Sequence, residues 1–149
     1  MSATNAFEAA LLALIFNNTD AANIGDATGL QGSGTAGDLY VSLHTADPGE
    51  TGDQTTNESA YTGYARVAVT RDSGGWTVSG TAPSEAANTA SVGFPACTGS
   101  TSTVTHFGIG TASSGAGHLL VSGALTSSLA VSSGITPSFD AGELTVTLD

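Results

Sequence analysis

Three histidines, one cysteine, two arginines and a short acidic loop are the side chains of this sequence with chemistry to offer. His44, His106 and His118 each fall in an alternating, strand-like pattern. None is paired at metal-ligand spacing such as His-x-x-x-His, so each reads as a sheet-face histidine. Cys97 with His106 would form a nucleophile and base only if the two were held in hydrogen-bond reach, with a third group orienting the ring. No spacing in the chain does that, and a small buried thiol is the plainer reading of Cys97. The many serines include no Gly-x-Ser-x-Gly elbow. The loop Asp47-Pro48-Gly49-Glu50-Thr51-Gly52-Asp53 carries three acids. Asp47, Glu50 and Asp53 are the residues that could lend oxygen ligands to Ca²⁺. Their spacing is not that of an EF-hand loop, so no metal centre is expected and a solvated acidic loop is the alternative. Gly29-Leu30-Gln31-Gly32-Ser33-Gly34 follows no strand and opens no helix, so it is not a dinucleotide fingerprint. No catalytic residue and no cofactor is expected, and the chain is read as a non-enzyme.

Arg66 and Arg71 are the only basic residues beside 13 acids, and there is no lysine. A lone guanidinium in so acidic a chain is expected to pair with a carboxylate, inside the subunit or across an interface. Tyr61, Tyr64 and Arg66 stand close together, and Tyr with Arg is a combination enriched at interface anchors. The alternative for Arg66 is an internal ion pair or stacking on Tyr64. The same charge balance excludes whole classes of function. A phosphate-binding loop needs its lysine. A nucleic-acid backbone needs clustered Lys and Arg, and a net charge of −11 repels it. Anionic membrane surfaces are disfavoured for the same reason.

The elements that must position these residues follow from periodicity. Residues 6–16 read as a helix, with Asn5 and Glu8 resembling a capping pair at its start. Its apolar residues form no single stripe, so the helix wants burial on most of its faces. It is either a core helix of its own domain or one docked against another subunit, and in the second case Phe7, Leu11, Leu12, Ile15 and Phe16 are interface candidates. Residues 17–37 hold five glycines and no sustained period, and read as an arm that orders on a neighbour or stays mobile. From Asp38 the period becomes two. Leu39 to His44, Arg66 to Thr70, Trp76 with Val78, Val92 with Phe94, Thr103 to Ile109, His118 to Ser122, Ala124 to Val131 and Leu144 to Leu148 alternate between Gly, Ser, Asp and Pro clusters. Seven to nine short strands at this spacing predict a mainly β chain. The architecture expected is an antiparallel β-sandwich of jelly-roll type, preceded by one N-terminal α-helix and a Gly-rich arm. The domain division expected is 1–37 for helix and arm and 38–149 for the β domain.

Composition sets the margin. Gly, Ala, Ser and Thr account for 83 of 149 residues, while Leu, Val, Ile and Phe account for 30. That places the chain near the compositional border of disorder, so its stability is expected to be modest outside an assembly. The single cysteine excludes an intrachain disulfide and a cysteine metal cluster. No apolar run is long enough to span a bilayer, and no basic segment precedes an apolar one as in a secretory signal. Synthesis in a cytoplasm is the expectation.

Several segments, in this order, carry a resemblance. Leu39-Tyr40-Val41-Ser42-Leu43-His44-Thr45-Ala46-Asp47-Pro48-Gly49 is similar to the opening strand and turn of a family of small virion proteins of tailed bacteriophages and prophages. Tyr61-Thr62-Gly63-Tyr64-Ala65-Arg66-Val67-Ala68-Val69 is similar to that family's next strand. Phe94-Pro95-Ala96, Val104-Thr105-His106-Phe107-Gly108-Ile109, Gly123-Ala124-Leu125 and the ending Ala141 to Asp149 resemble it as well. Members are often labelled tail fibre proteins. The resemblance implies a structural protein of the particle with no catalytic residues to transfer. Long fibres usually show repeats and extended length, which this chain lacks. The expectation is therefore a decoration or cement protein on the capsid surface, with the major capsid protein and copies of itself as partners, a trimer being one arrangement, and with neither nucleic acid nor membrane. A collar or tail-associated subunit is the alternative. A receptor- or glycan-binding module is the alternative of another class, and it would need an exposed aromatic platform built from Tyr61, Tyr64 and Trp76.

Overall fold

The computed structural model describes residues 2–80 and 84–148. Among the described residues one helix, α1 (Asn5–Asn17), precedes nine strands: β1 (Asp38–His44), β2 (Val67–Thr70), β3 (Trp76–Ser79), β4 (Ser84–Asn88), β5 (Val92–Gly93), β6 (Ser102–Gly110), β7 (Leu119–Val131), β8 (Ser138–Phe139) and β9 (Thr145–Leu148). The expected class is what the chain forms: mainly β, antiparallel in every strand pair whose register is defined, with one N-terminal helix.

The chain divides into two units, each built from separated segments. One comprises Met1–Asp38, Val69–Val92 and Phe139–Asp149, the other Leu39–Ala68 and Gly93–Ser138. Residues 1–37, expected to stand apart, therefore cluster with the middle and end of the chain. In the first unit α1 packs on β3 and β4, and the sheet order is β3-β4-β9. Val78, Ala86 and Val146 lie side by side across it. The helix cap is Thr4, one residue earlier than expected, its Oγ1 accepting from the Phe7 N–H at 3.4 Å. Glu8 does not serve as a cap; it lies on the buried line Glu8, Leu12, Phe16, spaced four apart on one face. Burial is thus narrower than the expected all-round coverage. Leu11 and Ile15 are half-buried, and Phe7 is 48% exposed. Phe16 meets Trp76 edge to face, with ring centroids 4.9 Å apart.

The expected arm closes on its own residues. Asn18 ends α1 in the left-handed region (φ 53°). Its side chain then grips Ser33 through Nδ2 to Ser33 O (2.8 Å) and through Ser33 N to Oδ1 (2.7 Å). Ala21 and Leu30 exchange both backbone bonds, and Asp20 accepts from the Gly32 N–H. This is the architecture of an Ω-loop, closed by its own hydrogen bonds.

In the second unit β1, β6 and β7 run side by side, in a sheet whose full order is β2-β1-β6-β7. Leu43 faces Phe107, and Phe107 faces Gly123. A glycine is required there, because a Cβ would stand 2.7 Å from the Phe107 ring. Gly123, which separates two expected strands in the sequence, lies inside a single strand for this reason. Gly108 is equally constrained: a Cβ would meet His44 Nε2 at 2.7 Å and Ser42 Oγ at 2.8 Å. β5 and β8 form a short two-stranded ribbon.

Candidate functional site

Arg66 organises the second unit. Its side chain is 2% exposed and its partner Glu58 is 18% exposed. The pair is bidentate, Nε to Oε1 at 2.6 Å and Nη2 to Oε2 at 2.8 Å, the geometry that a planar fork favours. The remaining reach of the guanidinium goes to the carbonyls of Ala112 and Gly115, each at 2.8 Å. The Tyr64 hydroxyl donates to Glu58 Oε1 at 2.9 Å and accepts from the Leu43 N–H at 3.0 Å. Burial raises the Tyr64 phenol well above its ordinary value, so it remains a donor. Arg66 is thus the internal ion pair of the two alternatives, not an interface anchor.

The same logic holds for Tyr61. It is buried, donates to Pro95 O at 2.9 Å, and lies edge to face with Tyr64 at 5.3 Å. Tyr64 in turn stacks on Phe94. With Trp76 fully buried in the other unit, the aromatic platform required of a glycan-binding surface is not presented. Leu12 and Phe16 are corrected likewise: both are buried against their own unit, and of the five helix candidates Phe7 is the most exposed, at 48%.

His44 is buried, with Nδ1 2.8 Å from Thr56 O and Nε2 2.8 Å from Ser42 Oγ. A carbonyl only accepts, so Nδ1 carries the proton and Nε2 accepts from the serine. Desolvation is the main cause that holds this imidazole below its usual pKa, so the neutral form is favoured. Gln54 is buried too. Its Oε1 accepts from Ala112 N at 2.9 Å, and its backbone N–H donates to Ala116 O. Gln54 and Arg66 together therefore fix the exposed 111–118 connection between β6 and β7.

The other expected chemistry does not assemble. Cys97 is buried and donates to Gly99 O, while His106 Nδ1 bonds to its neighbour Thr105 Oγ1. His118 is exposed and precedes β7. Asp47 accepts from the Gly49 N–H. Asp53 accepts from Thr55 N and Oγ1, bonds that hold its carboxyl below the usual range. Glu50 is exposed. The two aspartates thus cap their own turns, and among the described residues no three His, Cys, Asp or Glu side chains converge on one point. Arg71 also departs from expectation, because its partners are three carbonyls and a hydroxyl. Nε and Nη2 donate to Ile15 O (2.6 Å) and Leu14 O (2.7 Å), and Nη1 donates to Ser33 Oγ and Ala36 O. A cation from far along the chain so satisfies the C-terminal carbonyls of α1, which has no basic residue in its own last turn.

A family model described as "Podophage GP4 fiber I protein gp80" matches residues 2–147. The chain belongs to this family. No curated protein matches it. The gp80 family is one of phage fibre-type structural proteins, and the chain is accordingly a structural component of a virion. No described helix is long and apolar enough to cross a membrane. In the gp80-family chain the buried Gln54 and Asn88 and the half-buried Glu58 and Asn18 hold loops in place. None of the four is marked by a sequence motif. The one available signal is that Glu58 is the nearest acid preceding Arg66.

Proposed function

We propose that this protein is a subunit of the tail-associated fibre apparatus of a podophage particle, acting by binding and without catalysis. The observation that carries this reading is the fibre-family match over residues 2–147. The internal polar contacts support it: the buried His44, the Arg66 side chain and the half-buried Glu58 and Tyr64 are engaged with one another or with neighbouring protein groups, which suits a scaffold that holds loops rigid. Its partners are other virion proteins and copies of itself. Decoration of the capsid shell is the finer alternative inherited from the resemblance, and stoichiometry separates the two. Quantitative mass spectrometry of purified particles is expected to give about a dozen copies or fewer, the number that a tail vertex of cyclic symmetry accommodates. Copies on the order of hundreds, as an icosahedral shell offers, would return the protein to the capsid surface.

A further inference from the structure

We propose that the tip of the β6–β7 connection, residues 113–117, binds a carboxylate carried by a small hydroxylated molecule of the uronic-acid type. The connection is held from beneath by its carbonyls. Arg66 draws in those of Ala112 and Gly115, and the backbone N–H of Gln54 draws in that of Ala116. A trans peptide points its C=O and its N–H in opposite directions. The N–H groups of Ser113, Ala116 and Gly117 are therefore turned away from these anchors. Residues 113–118 are exposed, and no N–H of residues 113–117 donates to a described residue. The anchors thus consume carbonyls and leave donors. Backbone handedness alternates through the same residues. Gly115 (φ 74°) and Gly117 (φ 54°) are left-handed, while Ser114 and Ala116, which alternate with them, are not. Such alternation gathers successive N–H groups around one concavity, the arrangement that cradles oxyanions. A second observation lies at the foot of the loop. Gln54 Nε2 is buried without an acceptor among the described residues, and a Cβ on Gly110 would stand 2.6 Å from it. Here too a donor is left over.

Charge and side-chain size select the ligand. The loop lies within residues 86–139, which contain no acid and no arginine. The carboxylates of the segment that anchors it are both engaged, Asp53 by Thr55 and Glu58 by Arg66. An anion therefore meets donors here and carboxylates elsewhere. At −11 overall, the chain penalises a doubly charged phosphate more than a singly charged carboxylate. The tip is Ser113-Ser114-Gly115-Ala116-Gly117, with no apolar side chain larger than alanine. It offers an apolar group nothing to bury against, while its two serine hydroxyls suit a ligand bearing hydroxyls of its own. Neither the aromatic platform nor a metal enters this site. The binding is independent of where on the particle the chain sits, so it stands or falls separately from the copy number.

The test is an NMR titration of the ¹⁵N-labelled full chain with sodium glucuronate, its neutral methyl ester and sodium acetate. Glucuronate is expected to move the amide protons of residues 113–117 downfield along a saturable curve, acetate to do so with weaker affinity, and the ester to leave them in place. Gly115→Ala separates backbone shape from packing, because a Cβ there meets nothing within 4 Å and only the positive φ is penalised. It is expected to weaken glucuronate binding by about tenfold. Gly134→Ala is the matched control, an equally open glycine of positive φ in another loop, and is expected to leave the affinity unchanged. Absence of a saturable shift at 113–117, equal shifts with the ester, or equal effects of the two glycine variants would each overturn the site. Equal affinity for acetate and glucuronate would overturn the hydroxylated carrier.

Discussion

Arg66 and Glu58 sit where removal of one partner strands the other in low dielectric. Glu58→Gln is expected to cost about 3 kcal/mol, the scale of a broken buried pair, read as a fall in the urea midpoint with the slope unchanged. Arg66→Lys is expected to recover only part of an Arg66→Ala loss, because a point charge cannot span both carboxylate oxygens. His44 gives a separate, pH-dependent signature. Its folded pKa lies below the unfolded value of about 6.5, so the unfolded chain binds more protons as the pH falls through that range. Stability is therefore full above about pH 6.5 and declines below it. Asp53, whose folded pKa is also lowered, contributes a decline only below its ordinary value of 3.8. Thermal melts of His44→Asn at stepped pH are expected to lose the upper decline and keep the lower one.

Among the elements, the loop after α1 depends on two side chains that reach it from opposite directions, Asn18 from the helix end and Arg71 from beyond β2. Arg71→Ala is expected to raise amide exchange across residues 17–37 and in the last turn of α1, while β6 and β7 stay protected, a local rather than global opening. The strands richest in Val, Leu and Phe were legible from alternation alone, β1 and β6 above all. β4 was not, because its buried positions are Ser84, Ala86 and Asn88, small or polar residues with no β preference of their own. Asn88 earns its burial through bonds to Ala90 O, Asp140 O and Leu144 N, partners up to 56 residues distant that no local pattern can announce. Asn88→Ala, which orphans those groups, is expected to cost about 2 kcal/mol by chemical denaturation. The polar network was legible only in part. Two arginines in an acidic chain announced carboxylate partners, inside the subunit or across an interface, but that Arg66 finds Glu58 in its own chain and Arg71 finds carbonyls is decided by the fold.

On the scale of the molecule, the scarcity of large apolar residues is answered by side chains that tie loops to strands. The core is thin but ordered: Trp76, Phe16, Leu43, Ile109 and Leu144 are essentially fully buried, each in a position set by helix or sheet. The first unit has a consequence for synthesis. α1 is complete at Asn17, yet the strands it packs on begin at Trp76, and the sheet that holds them ends with β9 at Thr145–Leu148. A ribosome therefore releases the helix long before its binding face exists. The second unit, complete at Ser138, has all of its residues first. Contacts this distant in sequence are slow to close, so Leu12 and Phe16 stay uncovered in the nascent chain until Trp76 and the strands after it have been made.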